Sequence, residues 1–262
     1  MDISILLSVL LGVLGGYLVN FLADALPNEL SLSHPTCKNP ACLAKLGWKN
    51  YLLFRRCPQC QKLPSFRNAI VILLSIAFSV FTWSSPPAGL GYWFGFIVFI
   101  YLLLVAIIDF ETRLVLRPLS LIGLVLCVLA GLTMRTWQET LLGGAAGFGI
   151  MFIFYLFGVL FTRVRNKRLG NSDEAGEEAL GSGDVTLATI LGLLLGWPLI
   201  WVDLLFGIVF AGAISLLLIL GLIITRKYRS MMVFIAYGPY FIIAASLILY
   251  FPNLIKPILP AA

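Results

Sequence analysis

The stretch ALGSGDVTLATILGLLLGW, residues 179 to 197, places one carboxylate, Asp184, behind a Gly-Ser-Gly segment and at the head of an apolar run that continues to about residue 201. Seven more apolar runs recur, at about 3 to 24, 68 to 84, 91 to 108, 119 to 134, 140 to 161, 203 to 224 and 232 to 250. Runs of roughly 16 to 23 residues are long enough to cross a bilayer as helices with some tilt. They predict an all-α, polytopic integral membrane protein with about eight transmembrane helices. The weakest boundaries are Ser84-Ser85-Pro86-Pro87 and the stretch from Trp197-Pro198 to Asp203, each of which suits either a kinked helix or a tight outer turn.

Composition agrees. Of 262 residues, 60% are apolar and 11% charged, and the mean hydropathy is +1.00, well above the balance of a soluble domain. The net charge of +6 would suit nucleic acid only if the basic residues formed a patch, but they lie between apolar runs. Sixteen of the eighteen Lys and Arg residues fall in the alternate loops 25–67, 110–118, 162–183 and 225–230, leaving only Arg135 and Lys256 for the other side. By the positive-inside rule those loops are cytoplasmic, both termini lie outside, and no nucleic acid partner is expected. The first run begins acidic and stays apolar for about 20 residues, which reads as a retained span and not as a cleaved signal peptide.

The chain thus divides into a first transmembrane helix at 1–24, a cysteine-rich cytoplasmic loop at 25–67, and a seven-helix membrane core at 68–262 that includes a flexible cytoplasmic loop at 162–183. That last loop passes from basic RVRNKR to acidic SDEAGEEALGSG without apolar periodicity. In the first loop, Cys37 and Cys42, then Cys57 and Cys60, form two pairs whose spacing can close four thiolates around a structural zinc. Free or oxidisable thiols are the alternative. His34 reads as a solvated loop residue or a substitute ligand, and Cys127, alone in an apolar run, as a small packing residue.

On this topology Asp184 starts the sixth span and Asp109, in LVAIIDFETRL, ends the third, both at the cytoplasmic side. An ionisable residue in a span end is a functional hypothesis by default. Gly181 and Gly183 allow the backbone to bend or to approach another chain closely. Counting in fours from Asp184 gives Ala188, Gly192 and Gly196, a line of small residues that lets a neighbouring helix pack closely. If that neighbour is the third span, the two carboxylates meet and share one proton, as an aspartyl protease requires. Taken singly, each aspartate also suits a helix end with favourable dipole placement.

At these residues the sequence resembles the type IV prepilin peptidases, membrane aspartyl proteases that share a Gly-x-Gly-Asp signature with presenilin-like proteases. GYLVNFLADALP, with Gly16, Asn20 and Pro27, resembles the family's first-span motif. IDFETRL and GSGDVTLATILGLLLGW are similar to the segments bearing its two catalytic aspartates, and IAYGPYF, with Gly238, Pro239 and Tyr240, to its last-span motif. The resemblance implies that Asp109 and Asp184 are the catalytic pair, with Gly181, Gly183, Asn20, Gly238 and Pro239 shaping the site or binding substrate. It further implies a bacterial inner-membrane enzyme whose site faces the cytoplasm and that cuts the basic leader of a prepilin or pseudopilin after a glycine, in pilus or secretion assembly. No catalytic metal is expected. Two departures bear on substrate preference: Leu116-Arg117 replaces Pro-Asn or Pro-Asp, and Thr186 stands where a Lys is usual.

Larger members of that family carry paired cysteines in the first loop and also methylate the new N-terminus. The stretch associated with methylation reads SFRNAIVI here, with Ser65 and Arg67 matching but Asn68, Ala69 and Ile72 in place of Tyr, Pro and Glu. An apolar Ile72 supplies no carboxylate for an amine, so methyltransferase activity is expected to be weak or absent, and S-adenosylmethionine would be a cofactor only if it were retained.

Smaller signals have ordinary readings beside functional ones. Glu111 reads as a solvated helix end before a metal ligand; Asp173, Glu174, Glu177 and Glu178 as a solvated loop or an attractor of basic leaders. Asn20 suits a hydrogen bond between helices, and Pro239 a bend in the last span. Two rival functions stay open: a transporter or assembly scaffold whose aspartates carry protons or ions, and a presenilin-like protease cutting inside spans.

Overall fold

The computed structural model describes residues 3–29, 42, 56–61, 66–169, 181–224 and 236–255. Every regular element among them is helical: α1 (Ile3–Glu29), α2 (Phe66–Ser84), α3 (Gly91–Thr112), α4 (Arg117–Met134), α5 (Trp137–Leu169), α6 (Ser182–Leu195), α7 (Leu199–Ile224), α8 (Gly238–Tyr250) and the single turn α9 (Pro252–Ile255). Six, α1 to α5 and α7, are long and apolar enough to cross a membrane, while α6 and α8 are shorter apolar helices. The chain forms two compact units, Met1–Thr112 and Arg113–Ala262.

In the first unit, α1, α2 and α3 pack together, and a step of four residues along α1 explains how. A Cβ on Gly12 would stand 2.6 Å from the Ile76 Cα, and one on Gly16 2.7 Å from the Ile72 Cα. Two glycines one turn apart therefore bring the α1 and α2 backbones together, where dispersion contacts and weak polar contacts replace the hydrophobic driving force that lipid cannot supply. The same step places polar residues at both ends of the seam. Ser79 Oγ donates to the Ser8 carbonyl at 2.7 Å and lies 2.8 Å from the Tyr92 hydroxyl, and Asn20 Nδ2 donates to the Asn68 carbonyl at 3.1 Å. Gly15 points elsewhere, toward Ile100 and Phe96 of α3.

The second unit is built around α6. Its residues Val185, Leu187, Ala188 and Ile190 through Leu195 are buried, because α4, α5, α7 and α8 all pack on it. Enclosure on all sides leaves no polar face, which is why the helix is apolar without a break from Ile190 to Leu195. Gly131 of α4 abuts the Leu193 carbonyl, and Gly143 and Gly147 of α5 abut the carbonyls of Gly192 and Ala188. The small residues spaced from Asp184 thus receive α5. On α7, Gly207 leaves room for the Phe241 ring of α8.

The sixth apolar run is not one helix to residue 201. It stops at Leu195, where Gly196 takes φ +71°, a conformation that a side chain disfavours, and α7 begins at Leu199. The turn is tied to the start of α5 by Trp197 N–H, which donates to the Glu139 carbonyl at 2.9 Å. Thr136 and Glu139 cap α5 reciprocally, the Thr136 N–H donating to Glu139 Oε2 at 3.2 Å and the Glu139 N–H to Thr136 Oγ1 at 3.4 Å. Burial against this turn lowers the pKa of Arg135, with Glu139 opposing the shift. Trp137, Trp197 and Trp201 are exposed at this end, as aromatic residues at a membrane interface are.

Candidate active site and cysteine centre

Asp184 occupies the third residue of α6. Its N–H donates to the Gly181 carbonyl at 3.1 Å, closing the first turn, and its carboxylate lies at the positive end of the helix dipole. The side chain is half-buried. The two glycines before it do different things. Gly181 has φ −76° and ψ 146°, extended backbone open to any residue, and a Cβ there would meet only the Gly183 nitrogen at 3.9 Å. Gly183 has no such freedom: a Cβ would stand 2.7 Å from Val115 Cγ2. Glycine at 183 is thus required by close approach of the 113–116 segment.

The level of Asp184 along α5 follows from the α5–α6 seam. Gly143 meets Gly192 and Gly147 meets Ala188, so the next step of four brings buried Met151 level with Asp184. The apolar part of α5 runs from Trp137 to Val164, and residue 151 is near its middle. The 14 residues of α6 span only about 21 Å, against ~30 Å of hydrocarbon. Asp184 therefore lies in the first turn of a helix shorter than the hydrocarbon is thick, level with residue 151 of α5.

Asp109 lies in the last turn of α3 and is 4% exposed. Thr112 Oγ1 donates to the Ile108 carbonyl at 2.7 Å, and Arg113 then leaves the helix with φ +56°. Two residues past Asp109, Glu111 is not a bare solvated helix end. Its Oε2 accepts from Arg67 Nη1 at 2.7 Å, while Arg67 Nη2 donates to Asp24 Oδ1 at 2.8 Å. Arg67 also meets Asn68 Oδ1, at 3.1 Å from Nη2 and 3.3 Å from Nε. Asn20, one turn before Asp24 on α1, makes the interhelical hydrogen bond to Asn68. Sequence reading missed this cluster because its members come from three segments: Asp24 lies more than a turn before the end of α1, Arg67 in the first turn of α2 and Glu111 in the last turn of α3.

Gly238 and Pro239 are buried in the first turn of α8. Proline lacks an N–H that would go unused there and has the φ a helix start needs, so Pro239 begins this helix and does not bend it.

Cys42, Cys57 and Cys60 bring their sulfurs within 4.8 Å of one another, and the Cys42 and Cys57 sulfurs are 3.9 Å apart. Cys57-Pro58-Gln59-Cys60 is a tight turn in which Gln61 N–H donates to the Cys57 carbonyl at 2.9 Å. Three sulfurs so spaced can bind a metal; four at about 2.3 Å from a tetrahedral zinc stand about 3.8 Å apart. Cys37 and His34 lie outside the described residues, as do Asp173, Glu174, Glu177 and Glu178.

A family model described as the type IV leader peptidase family matches residues 96–255, which takes in both aspartates. No curated protein and no solved structure matches the chain.

Proposed function

The chain belongs to the type IV leader peptidase family, a family of proteases, and from that membership we propose that it is a membrane-embedded aspartyl endopeptidase that removes the basic leader of a prepilin or pseudopilin. The observation that carries this reading is the family match over 96–255 together with the two carboxylates inside it, each held in a terminal helical turn. Asp109 and Asp184 are the catalytic pair. A carboxyl in an apolar setting resists ionisation, and two that share a site keep one proton between them.

In the first step the ionised aspartate takes a proton from water as the water oxygen bonds to the scissile carbonyl carbon. The protonated aspartate meanwhile gives its proton to the carbonyl oxygen, leaving a neutral gem-diol. In the second step the C–N bond breaks, the leaving nitrogen takes a proton from one aspartic acid, and a diol hydroxyl returns one to the other carboxylate. The water has then been divided between the products and the pair again holds one proton. The chemistry calls on no metal.

The half-burial of Asp184 supports a cleft through which water and substrate enter. The enzyme sits in the bacterial inner membrane with that cleft toward the cytoplasm, both termini outside, and serves pilus or secretion assembly. Gly183 shapes the Asp184 turn, Asn20 ties α1 to α2, and Gly238 and Pro239 start α8. Cys37, Cys42, Cys57 and Cys60 hold a structural zinc that braces a loop with little core of its own. Methylation is weak or absent, since Ile72 offers no carboxylate.

The test is incubation of the purified protein with a leader-bearing prepilin, with wild type, Asp109→Asn and Asp184→Asn compared by product mass. Wild type is expected to cut after the leader glycine without adding a methyl, and both variants to be inactive. Cleavage that survives either substitution would overturn the aspartyl mechanism, and proton flux without cleavage would favour a transporter.

A further inference from the structure

We infer that Arg67 is a positioning residue of the peptidase site, clamping the last turn of α3 and with it the carboxylate of Asp109; the inference rests on the catalytic role proposed above for that residue. Arg67 stands in the first turn of α2, where the helix dipole disfavours a cation, and Glu111 in the last turn of α3, where it disfavours an anion. Neither charge helps its own helix. Their placement makes sense as a pair, and the 2.7 Å contact between Nη1 and Oε2 makes it one.

The guanidinium is forked. Nη2 reaches Asp24 of α1 at 2.8 Å while Nη1 holds Glu111, so a single side chain joins three helices of the first unit at the end where α1 and α3 finish and α2 begins. The Asp24 contact is well shielded, with side-chain exposures of 14% for Arg67 and 8% for Asp24. Asn68 Oδ1 accepts two further contacts and the Asn68 carbonyl accepts from Asn20, which fixes the arginine against the α1–α2 seam. Planar, multi-donor geometry of this kind is available to arginine and not to lysine.

What it steadies is the end of a helix. The last carbonyls of a helix have no partner within it, and α3 ends one residue after Glu111, with Arg113 already outside helical backbone. The turn carrying Asp109 is held from within by Thr112 and from outside by Arg67. A displacement of about 1 Å in a catalytic group costs on the order of 100-fold in rate, so loosening this turn should act on turnover more than on binding.

The experiment measures kcat and KM for leader cleavage in wild type, Arg67→Gln, Arg67→Lys, Glu111→Gln and the Arg67→Gln/Glu111→Gln double variant. Amide hydrogen exchange of peptides covering residues 105–112 is followed in parallel. The expected result is a fall in kcat of roughly 10- to 100-fold with KM within about twofold for Arg67→Gln and Glu111→Gln. The double variant should be no slower than the slower single one, because both break the same link, Arg67→Lys should fall between, and exchange should quicken over 105–112 while residues 185–195 are unchanged. Unchanged kcat, a rise in KM alone, or independent effects in the double variant would overturn the inference. If Arg67→Gln fails to fold, Glu111→Gln and Arg67→Lys make the same comparison. If wild type cuts no leader substrate, the proposed function falls, and unaltered exchange over 105–112 in the variants would bring down the clamp separately.

Discussion

Gly183 and Val115 meet at contact distance: a Cβ on the glycine would stand 2.7 Å from Val115 Cγ2 and 2.9 Å from its Cβ. The segment that follows the Asp109 helix in sequence therefore rests directly on the residue before Asp184. The clearance is too small for a methyl group, and the obstacle is the base of a β-branched side chain, which has little room to swing away.

Gly183→Ala is accordingly expected to destabilise the chain by about 1 to 3 kcal/mol through overpacking and to cut leader cleavage strongly, with Val115→Ala added in the same chain restoring much of both. Gly181→Ala should be nearly silent, within about 0.5 kcal/mol, since its backbone is extended and the space around it open. Thermal midpoints and cleavage rates of the four proteins decide the matter. Equal damage from both glycine substitutions would mean that Gly181 serves motion or substrate approach and not the resting fold.

The helical seam inside the second unit makes a separate demand. Gly192 abuts the Gly143 backbone from α6, and Gly143 abuts Gly192 from α5, so neither can gain a methyl without separating the helices. Gly192→Ala and Gly143→Ala should each lower the thermal midpoint in detergent. Gly149→Ala, on the same helix as Gly143 but with nothing near its Cβ direction, should be neutral or stabilising by up to about 1 kcal/mol. A stable Gly192→Ala would show that the seam yields more easily than backbone contacts allow.

This seam also marks how far the sequence could be read. The period of four from Asp184 through Ala188 to Gly192 signalled a close neighbour, because only small residues let backbones touch, but not which helix takes the place. The matching pair Gly143 and Gly147 was present and carried the answer. Hydropathy ran the sixth span to residue 201 because leucine, tryptophan and proline are all compatible with an apolar run, while the actual stop is set by the backbone at Gly196. Pro239 looked like a mid-span bend and is a helix start. The link from Arg67 to Asp24 and Glu111 was hidden for another reason: its partners are 43 and 44 residues away, and no local period connects residues brought together from three helices. Asp109 and Asp184 stand out in the sequence as candidates because a carboxylate at the end of an apolar run is chemically conspicuous, whereas Asp203, between two apolar runs, reads as part of a turn and is buried in α7.

The cysteine centre should bind one zinc per chain. Elemental analysis of protein purified without chelator is expected to find about one equivalent, reduced in Cys42→Ser, Cys57→Ser and Cys60→Ser and unaffected by Cys127→Ala, whose sulfur is buried in α4. Zinc ligands bind as thiolates, so protons compete for the site. The metal should therefore be retained at neutral pH and released as pH falls, with a loss of thermal stability at the same midpoint. Full stability after metal removal would make the cluster a set of neighbouring thiols and no more.

Asp203 offers the opposite kind of test, since it is a carboxylate that the proposed chemistry does not use. It lies in the first turns of α7, is fully buried, and neither oxygen has a hydrogen-bond partner among the described residues. A buried polar group left without a partner costs about 1 to 3 kcal/mol, and a charge there would cost far more. Asp203→Ala is expected to raise the thermal midpoint, the removed penalty outweighing a cavity of about one carboxyl group, and to leave leader cleavage at the wild-type rate. Asp203→Asn should stay near the wild-type midpoint, because an amide in the same place is equally unpartnered. A folded Asp203→Ala protein that no longer cuts the leader would mean that this carboxylate takes part in the reaction or in delivering its protons, and the two-aspartate mechanism would then need a third member.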